Sequence, residues 1–276
     1  MKKTKVPVLL HENIHTLTDL LDQACEKFAD RVFLRYERND SIYDVTYRHL
    51  GAECHAFAMW AAETSRKVGH PIKVGLLGSA GPHYIALMFG LMAGGAVSVP
   101  LDVQLDFETL SDNLNRSDVD VLFYNWDFAR RIQGIEDRCP ALSAIYCLQQ
   151  GKNVPCSEDI LAEYATVPYV KPDTKPEDLA MILFTSGTTG KGKGVMLSHG
   201  NLTDNVFNDD EPGDASQDTT LNVLPIHHVF CITCDILLTA RCVARNKHYK
   251  LWECALADSR RLVDERLRAV SFPVSV

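Results

Sequence analysis

The sequence predicts an α/β fold with mainly parallel sheets flanked by helices. Three observations predict it. Short apolar runs alternate with helix-patterned stretches from residue 72 to residue 148, the pattern of strands joined by helical crossovers. Hydrophobic residues make up 46% of 276 positions and charged residues 23%, ordinary usage for a chain with ample core. The longest apolar run, Tyr84 to Leu101, is broken by Gly90, Gly94, Gly95 and Pro100. It reads as a buried helix turning into a buried strand rather than a membrane span.

Thr16 precedes apolar positions at helical spacing and is suited to cap a helix running to Ala29. Val32 to Tyr36 and Ile42 to Val45 alternate around Asn39-Asp40, the pattern of a hairpin. Tyr47 to Thr64 is an alanine-rich helix. The regular alternation then begins. Ile72–Leu77, Ala96–Pro100, Val119–Tyr124 and Ala144–Leu148 are strand-like; Pro82–Ala93, Phe107–Asn115 and Trp126–Glu136 are helical. Gly151 to Asp178 carries Pro155, Pro168, Pro172 and Pro176 and reads as a connector over the surface, with one short helix from Glu158 to Tyr164.

The net charge of −8 disfavours a nucleic-acid partner, because there is no basic face to neutralise phosphates. The lysines near Met1 lack an apolar core behind them, so no signal peptide is expected. Nine irregularly spaced cysteines fit a reducing compartment, and a cytoplasmic location is expected. Residues 241–276 hold 8 Lys and Arg against 4 Asp and Glu, while the preceding 240 hold 20 against 32. Alternation also fades there, apart from a helical pattern from Leu256 to Leu267. Three segments result: 1–178, a first α/β lobe with its connector; 179–240, opening a second lobe; and 241–276, an atypical tail. An out-of-frame origin for that tail is one expectation, testable in the DNA downstream of codon 240.

The chemistry concentrates in Thr185-Ser-Gly-Thr-Thr-Gly-Lys-Gly-Lys-Gly194, ten residues made only of Gly, Ser, Thr and Lys, entered from the apolar run Leu179–Phe184. Glycines let amides curl towards an anion, hydroxyls donate, and lysine supplies compact charge. Hydrogen bonds to charged groups contribute about 1.5–3 kcal/mol each, enough together to hold a triphosphate. Gly187 to Lys193 fits seven positions of a Walker A loop. The eighth should be Ser or Thr but is Gly194, and strand-like Val195-Met-Leu follows where a helix is required.

Thr185 to His199, closing on Ser198-His199, resembles the signature of the adenylate-forming enzymes: acyl-CoA synthetases, luciferase and peptide-synthetase adenylation domains. It matches at every position but one, where Gly192 replaces the family's proline. Leu221-Asn-Val-Leu-Pro-Ile-His-His228 resembles the family's downstream His motif, with Cys231 where a glycine is usual. Asp44-Val-Thr-Tyr-Arg-His-Leu50 and Gly90 to Asp102 resemble two of its early segments, so the resemblance runs from about residue 16 to 240.

This resemblance implies the truncated N-terminal domain of an adenylate-forming enzyme. It implies ATP with its phosphates on Thr185, Ser186, Gly187, Thr188, Thr189, Gly190 and Lys193, and Mg2+ bridging them. His228 is the implied catalytic-site residue. A carboxylic acid would be activated and passed to CoA or to the phosphopantetheine of an acyl carrier protein. The family's adenine, ribose and hinge motifs and its C-terminal lysine do not occur in these 276 residues, so little activity is expected of the chain alone. A non-catalytic nucleotide-binding remnant and a P-loop NTPase stay open as alternatives. Cys231, Cys234, Cys242, His248 and Cys254 fit no standard zinc spacing, no protein-held metal site is expected, and Asp209-Asp210-Glu211 with Asp214 reads as a solvated acidic loop.

Overall fold

The computed structural model describes residues 9, 11–38, 41–149, 154–185, 192–207, 219–222, 224–242 and 245–248. The first helix, α1 (Leu17–Lys27), starts at a reciprocal cap. Thr16 Oγ1 accepts from the Asp19 amide while Asp19 Oδ2 accepts from the Thr16 amide, so two otherwise orphaned donors are satisfied at once. Next come β1 (Val32–Arg38) and β2 (Ser41–Thr46), antiparallel with Tyr36 opposite Tyr43. Arg35 and Asp44 form a two-pronged ion pair across them at 2.6 and 2.7 Å.

Helix α2 (Tyr47–Val68) is capped by Thr46, whose hydroxyl accepts from the His49 amide, and is stopped by Gly69 at φ 84°. A left-handed terminator of this kind favours glycine, and it lets the helix run one turn beyond Thr64. Then follow β3 (Lys73–Leu77), α3 (Pro82–Ala93), β4 (Val97–Leu101), α4 (Phe107–Arg116), β5 (Val121–Tyr124), α5 (Ile135–Arg138) and β6 (Ala144–Cys147). The helix expected over 126–136 is instead a single 3-10 turn, Trp126–Phe128, followed by the short α5. Gly134 at φ 79° supplies the reason, since a left-handed residue cannot lie inside a right-handed helix.

After the connector helix α6 (Ser157–Tyr164) come β7 (Leu179–Phe184), β8 (Gly194–Ser198), α7 (His199–Phe207), β9 (Thr219–Asn222), a π-helical segment Cys231–Leu237, α8 (Leu238–Cys242) and β10 (Arg245–His248). Six strands form one sheet in the order β6-β5-β3-β4-β7-β8, parallel except for β8, and four form a second in the order β2-β1-β10-β9. The expectation of mainly parallel sheets between helices holds. Strand β7 pairs beside β4, so the strand that feeds the predicted phosphate loop belongs to the same sheet as the first lobe's strands. Strand β8 is an outer strand, and its Val195 and Met196 are 39% and 65% exposed.

Side chains alternate across the six-stranded sheet as the period of two requires. Val121 and Phe123 join the core under α1, α2 and α3; Leu122 and Tyr124 join the core under α4 and α5. Helix α3 approaches α2 through two glycines. A Cβ on Gly90 would lie 2.6 Å from the Phe57 Cβ, and one on Gly94 would lie 2.4 Å from the Ala58 carbonyl oxygen. The glycines thus close helix on helix.

The proline-rich connector is fastened rather than loosely laid. Tyr164 Oη donates to Glu63 at 2.9 Å, Tyr169 stacks on His55 with centroids 3.9 Å apart, and Lys171 pairs with Asp19 at 2.7 Å. The segment after the His motif is tied to the start of the chain: Tyr47 Oη donates to the Thr239 carbonyl, and the Leu9 amide donates to the Arg241 carbonyl at 3.3 Å.

Candidate functional site

The predicted phosphate loop hangs from the turn end of the β7–β8 hairpin. The ladder pairs Ile182 with Met196, Leu183 with Val195 and Phe184 with Gly194. One step further, the Thr185 amide donates to the Lys193 carbonyl at 3.0 Å and closes the mouth. The side chains of Thr185 and Lys193 are both exposed there. Ser186, Gly187, Thr188, Thr189 and Gly190 lie outside the described residues. A Walker A loop opens a helix, whereas the residues that follow this loop form a strand antiparallel to the one before it. The hairpin therefore lacks the setting that a P-loop NTPase requires.

Gly192 has a specific reason to be glycine. An added Cβ would lie 2.4 Å from the Thr185 carbonyl oxygen, closer than real Cβ contacts allow. Proline, the residue of the resembled signature, does not fit this backbone. The Gly192 carbonyl accepts from Arg116 Nη1 at 2.7 Å, a contact that the sequence reading missed.

The end of the signature serves packing. Ser198 and Asn201 exchange side-chain to backbone hydrogen bonds at 3.1 Å and so cap α7. His199 is fully buried, its amide donates to the Asp178 carbonyl, and its Nδ1 accepts from the Leu17 amide at 3.3 Å. The ring therefore satisfies one of the free donors at the start of α1. Burial holds its pKa down at about 4, against the pull of Asp178 and Asp19. Nδ1 as acceptor puts the proton on Nε2, which has no hydrogen-bond partner among the described residues.

The His motif lies at a second point of the same region. Parallel β4 and β7 place their carboxyl ends, Leu101 and Phe184, at one edge of the sheet. Ligands of open α/β sheets bind at such edges. Asp102 follows β4, and its Oδ1 lies 3.6 Å from His227 Nε2. His227 is half-buried and its ring centroid is 4.7 Å from that of His228. Burial first, and then His228, lower the His227 pKa, while Asp102 raises it. The side chain of His228 is exposed, and its amide donates to the Pro225 carbonyl.

Immediately beyond, Asp235 on the π-helical segment has its pKa pushed up to about 6 by burial. Cys231 is buried and Cys234 half-buried on the same segment. Among the described residues no three His, Cys, Asp or Glu side chains form a cluster that could hold a metal ion. Also among them, no helix is long and apolar enough to cross a membrane.

Two histidines and a carboxylate thus stand at the sheet edge that also carries the mouth of a Gly-, Ser-, Thr- and Lys-rich loop. The family model described as AMP-binding enzyme matches residues 21–258. The chain belongs to this family. The match extends past Ala240 and takes in β10. Among curated AMP-binding relatives, the chain is 24% identical to a long-chain-fatty-acid–CoA ligase of Escherichia coli O157:H7, over 82% of the chain and 45% of the relative. It is 27% identical to tyrocidine synthase 1 of Brevibacillus parabrevis over 70% of the chain and 16% of that protein. Among solved AMP-binding structures, the anthranilate CoA ligase AuaEII in complex with anthranoyl-AMP has a TM-score of 0.73 at 20% identity, covering 90% of this chain and 46% of that one. That likeness establishes the fold of the N-terminal part of an adenylate-forming enzyme. The chain spans about half the length of the long-chain ligase it matches.

Proposed function

We propose that the chain contributes the nucleotide-holding part of an AMP-forming acid–thiol ligase. The observation that carries the reading is the hairpin mouth, where Thr185 and Lys193 pair and present a hydroxyl and an ammonium to solvent beside a glycine- and hydroxyl-rich loop. Those donors suit phosphate oxygens. Thr185, Ser186, Gly187, Thr188, Thr189, Gly190 and Lys193 would hold the β- and γ-phosphates of ATP. Mg2+ would arrive on the phosphates and compensate their charge.

In the whole enzyme a carboxylate oxygen attacks the α-phosphorus. The bond to the bridging oxygen breaks, pyrophosphate leaves, and an acyl-adenylate remains. A thiol of CoA or of a carrier protein's phosphopantetheine then takes the acyl group, and AMP leaves. The residues of this chain act on the first step by holding the departing pyrophosphate. Loss of one preorganised donor typically lowers such a rate by about 10²–10³. His228 would stand on the acyl side of the nucleotide. We assign it contact with the reacting groups because it is exposed at the edge where Asp102 and His227 meet. The relatives' names span fatty acids, an aryl acid and a peptide synthetase, which supports a carboxylic acid as the substrate.

The identity of the released product tests the class. Mixed with Mg·ATP, the chain should bind nucleotide and release no inorganic phosphate, and an acid-dependent exchange of pyrophosphate into ATP is the activity of the whole ligase. Steady release of phosphate would show cleavage at the γ-phosphorus and overturn the reading in favour of an NTPase.

A further inference from the structure

We propose that Arg116 is a positioning residue for the phosphate loop. It is the last residue of α4, on an element that contributes no residue to the predicted signature. Its Nη1 donates to the Gly192 carbonyl at 2.7 Å. Its guanidinium carbon lies 5.6 Å from the centroid of Phe184, the last residue of β7. Asp112, one turn earlier on α4, stands 3.6 Å from the same Nη1 and helps to orient it. One planar group therefore touches both limbs of the hairpin just inside the loop, Phe184 on entry and Gly192 on exit. Lys193, whose charge the loop presents, is the next residue along.

Chemistry makes arginine suited to this place. The guanidinium can lie flat on a ring while its edge donates in its own plane. A carbonyl bonded to a cation also stays turned away from an incoming anion, which leaves the amide side of the exit limb for phosphate. Gly192 completes the device, because any Cβ there would strike the Thr185 carbonyl and push the two limbs apart. The inference rests on the reading of residues 185–194 as a phosphate loop, and it adds the residue that keeps the loop's mouth shut when no nucleotide is present.

The Thr185 amide, bonded to the Lys193 carbonyl, is a reporter that needs no ligand. In the ligand-free chain, R116A should speed hydrogen exchange at Thr185 by a factor of about ten, the equivalent of losing one hydrogen bond to a charged group. Amides of β3, β4 and β5 should keep their rates. R116K retains the charge and one donor and should recover part of the protection, and G192A should mimic R116A through the clash. The affinity for ATP should fall by a similar factor in R116A. Unchanged exchange at Thr185 in R116A would overturn the positioning role, whatever G192A does. Failure of the unsubstituted chain to bind ATP would instead refute the phosphate-loop reading, and the exchange experiment would still decide whether Arg116 holds the hairpin.

Discussion

Lowering the pH should unfasten His199, and the size of the effect follows from its environment. The imidazole is fully buried, and burial holds its pKa at about 4 instead of the ordinary 6.5. Its Nδ1 accepts a hydrogen bond from the Leu17 amide, an arrangement open only to the neutral ring. As pH falls, the unfolded chain takes up the proton near 6.5 while the folded chain resists until about 4. The contribution of this group is therefore complete above about pH 6.5, declines through the window and is gone at about 4. Each unit of difference corresponds to about 1.36 kcal/mol, so the full loss is about 3 kcal/mol, a large share of an ordinary domain's stability. Urea unfolding of the parent chain and of His199→Asn, measured from pH 7.5 down to 4.5, isolates the effect. Asparagine keeps an acceptor for the Leu17 amide but does not titrate. The parent should lose stability relative to the variant steadily as pH falls. Parallel curves for the two proteins would refute the claim that burial of a neutral imidazole stabilises the junction of α1 and α7.

Asp235 should act in the opposite sense, because burial raises its pKa to about 6. The folded chain keeps the proton longer as pH rises from 3.8 to 6, so this group's contribution is present at acid pH and lost above about 6; Asp235→Asn should remove that loss, which the same titration reads. Gly94→Ala should destabilise the chain by about 1–3 kcal/mol in urea unfolding, the usual range for overpacking, since the new methyl meets the Ala58 carbonyl at 2.4 Å. A loss below 0.5 kcal/mol would show that α2 and α3 separate without strain.

Much of the fold was legible because its signals are local. Pro82 at the start of α3 and the apolar runs of β3, β4 and β5 each name their own element, and the alternation names the sheet. The short α5 was not, since nothing in Trp126 to Glu136 announces that Gly134 takes a left-handed conformation. The loop and the His motif could be found as residue types at a spacing. What they touch could not. Asp102 meets His227 only because β4 ends where the chain returns 125 residues later, and Arg116 reaches Gly192 from 76 residues away. His199 looked like part of a signature and is used as a cap for a helix 182 residues earlier. The one earlier hint was Asp102 itself, a charged residue closing an apolar strand at the edge where such sheets bind ligands.

The most direct test of the central claim compares the affinity of the chain for ATP with that for AMP, in the presence of Mg2+, by calorimetric titration. If the hairpin loop grips the outer phosphates, ATP should bind about ten- to hundred-fold more tightly than AMP. Lys193→Ala should erase most of that advantage while leaving AMP binding in place. Equal affinities for the two nucleotides, or an advantage for ATP that survives in Lys193→Ala, would contradict it.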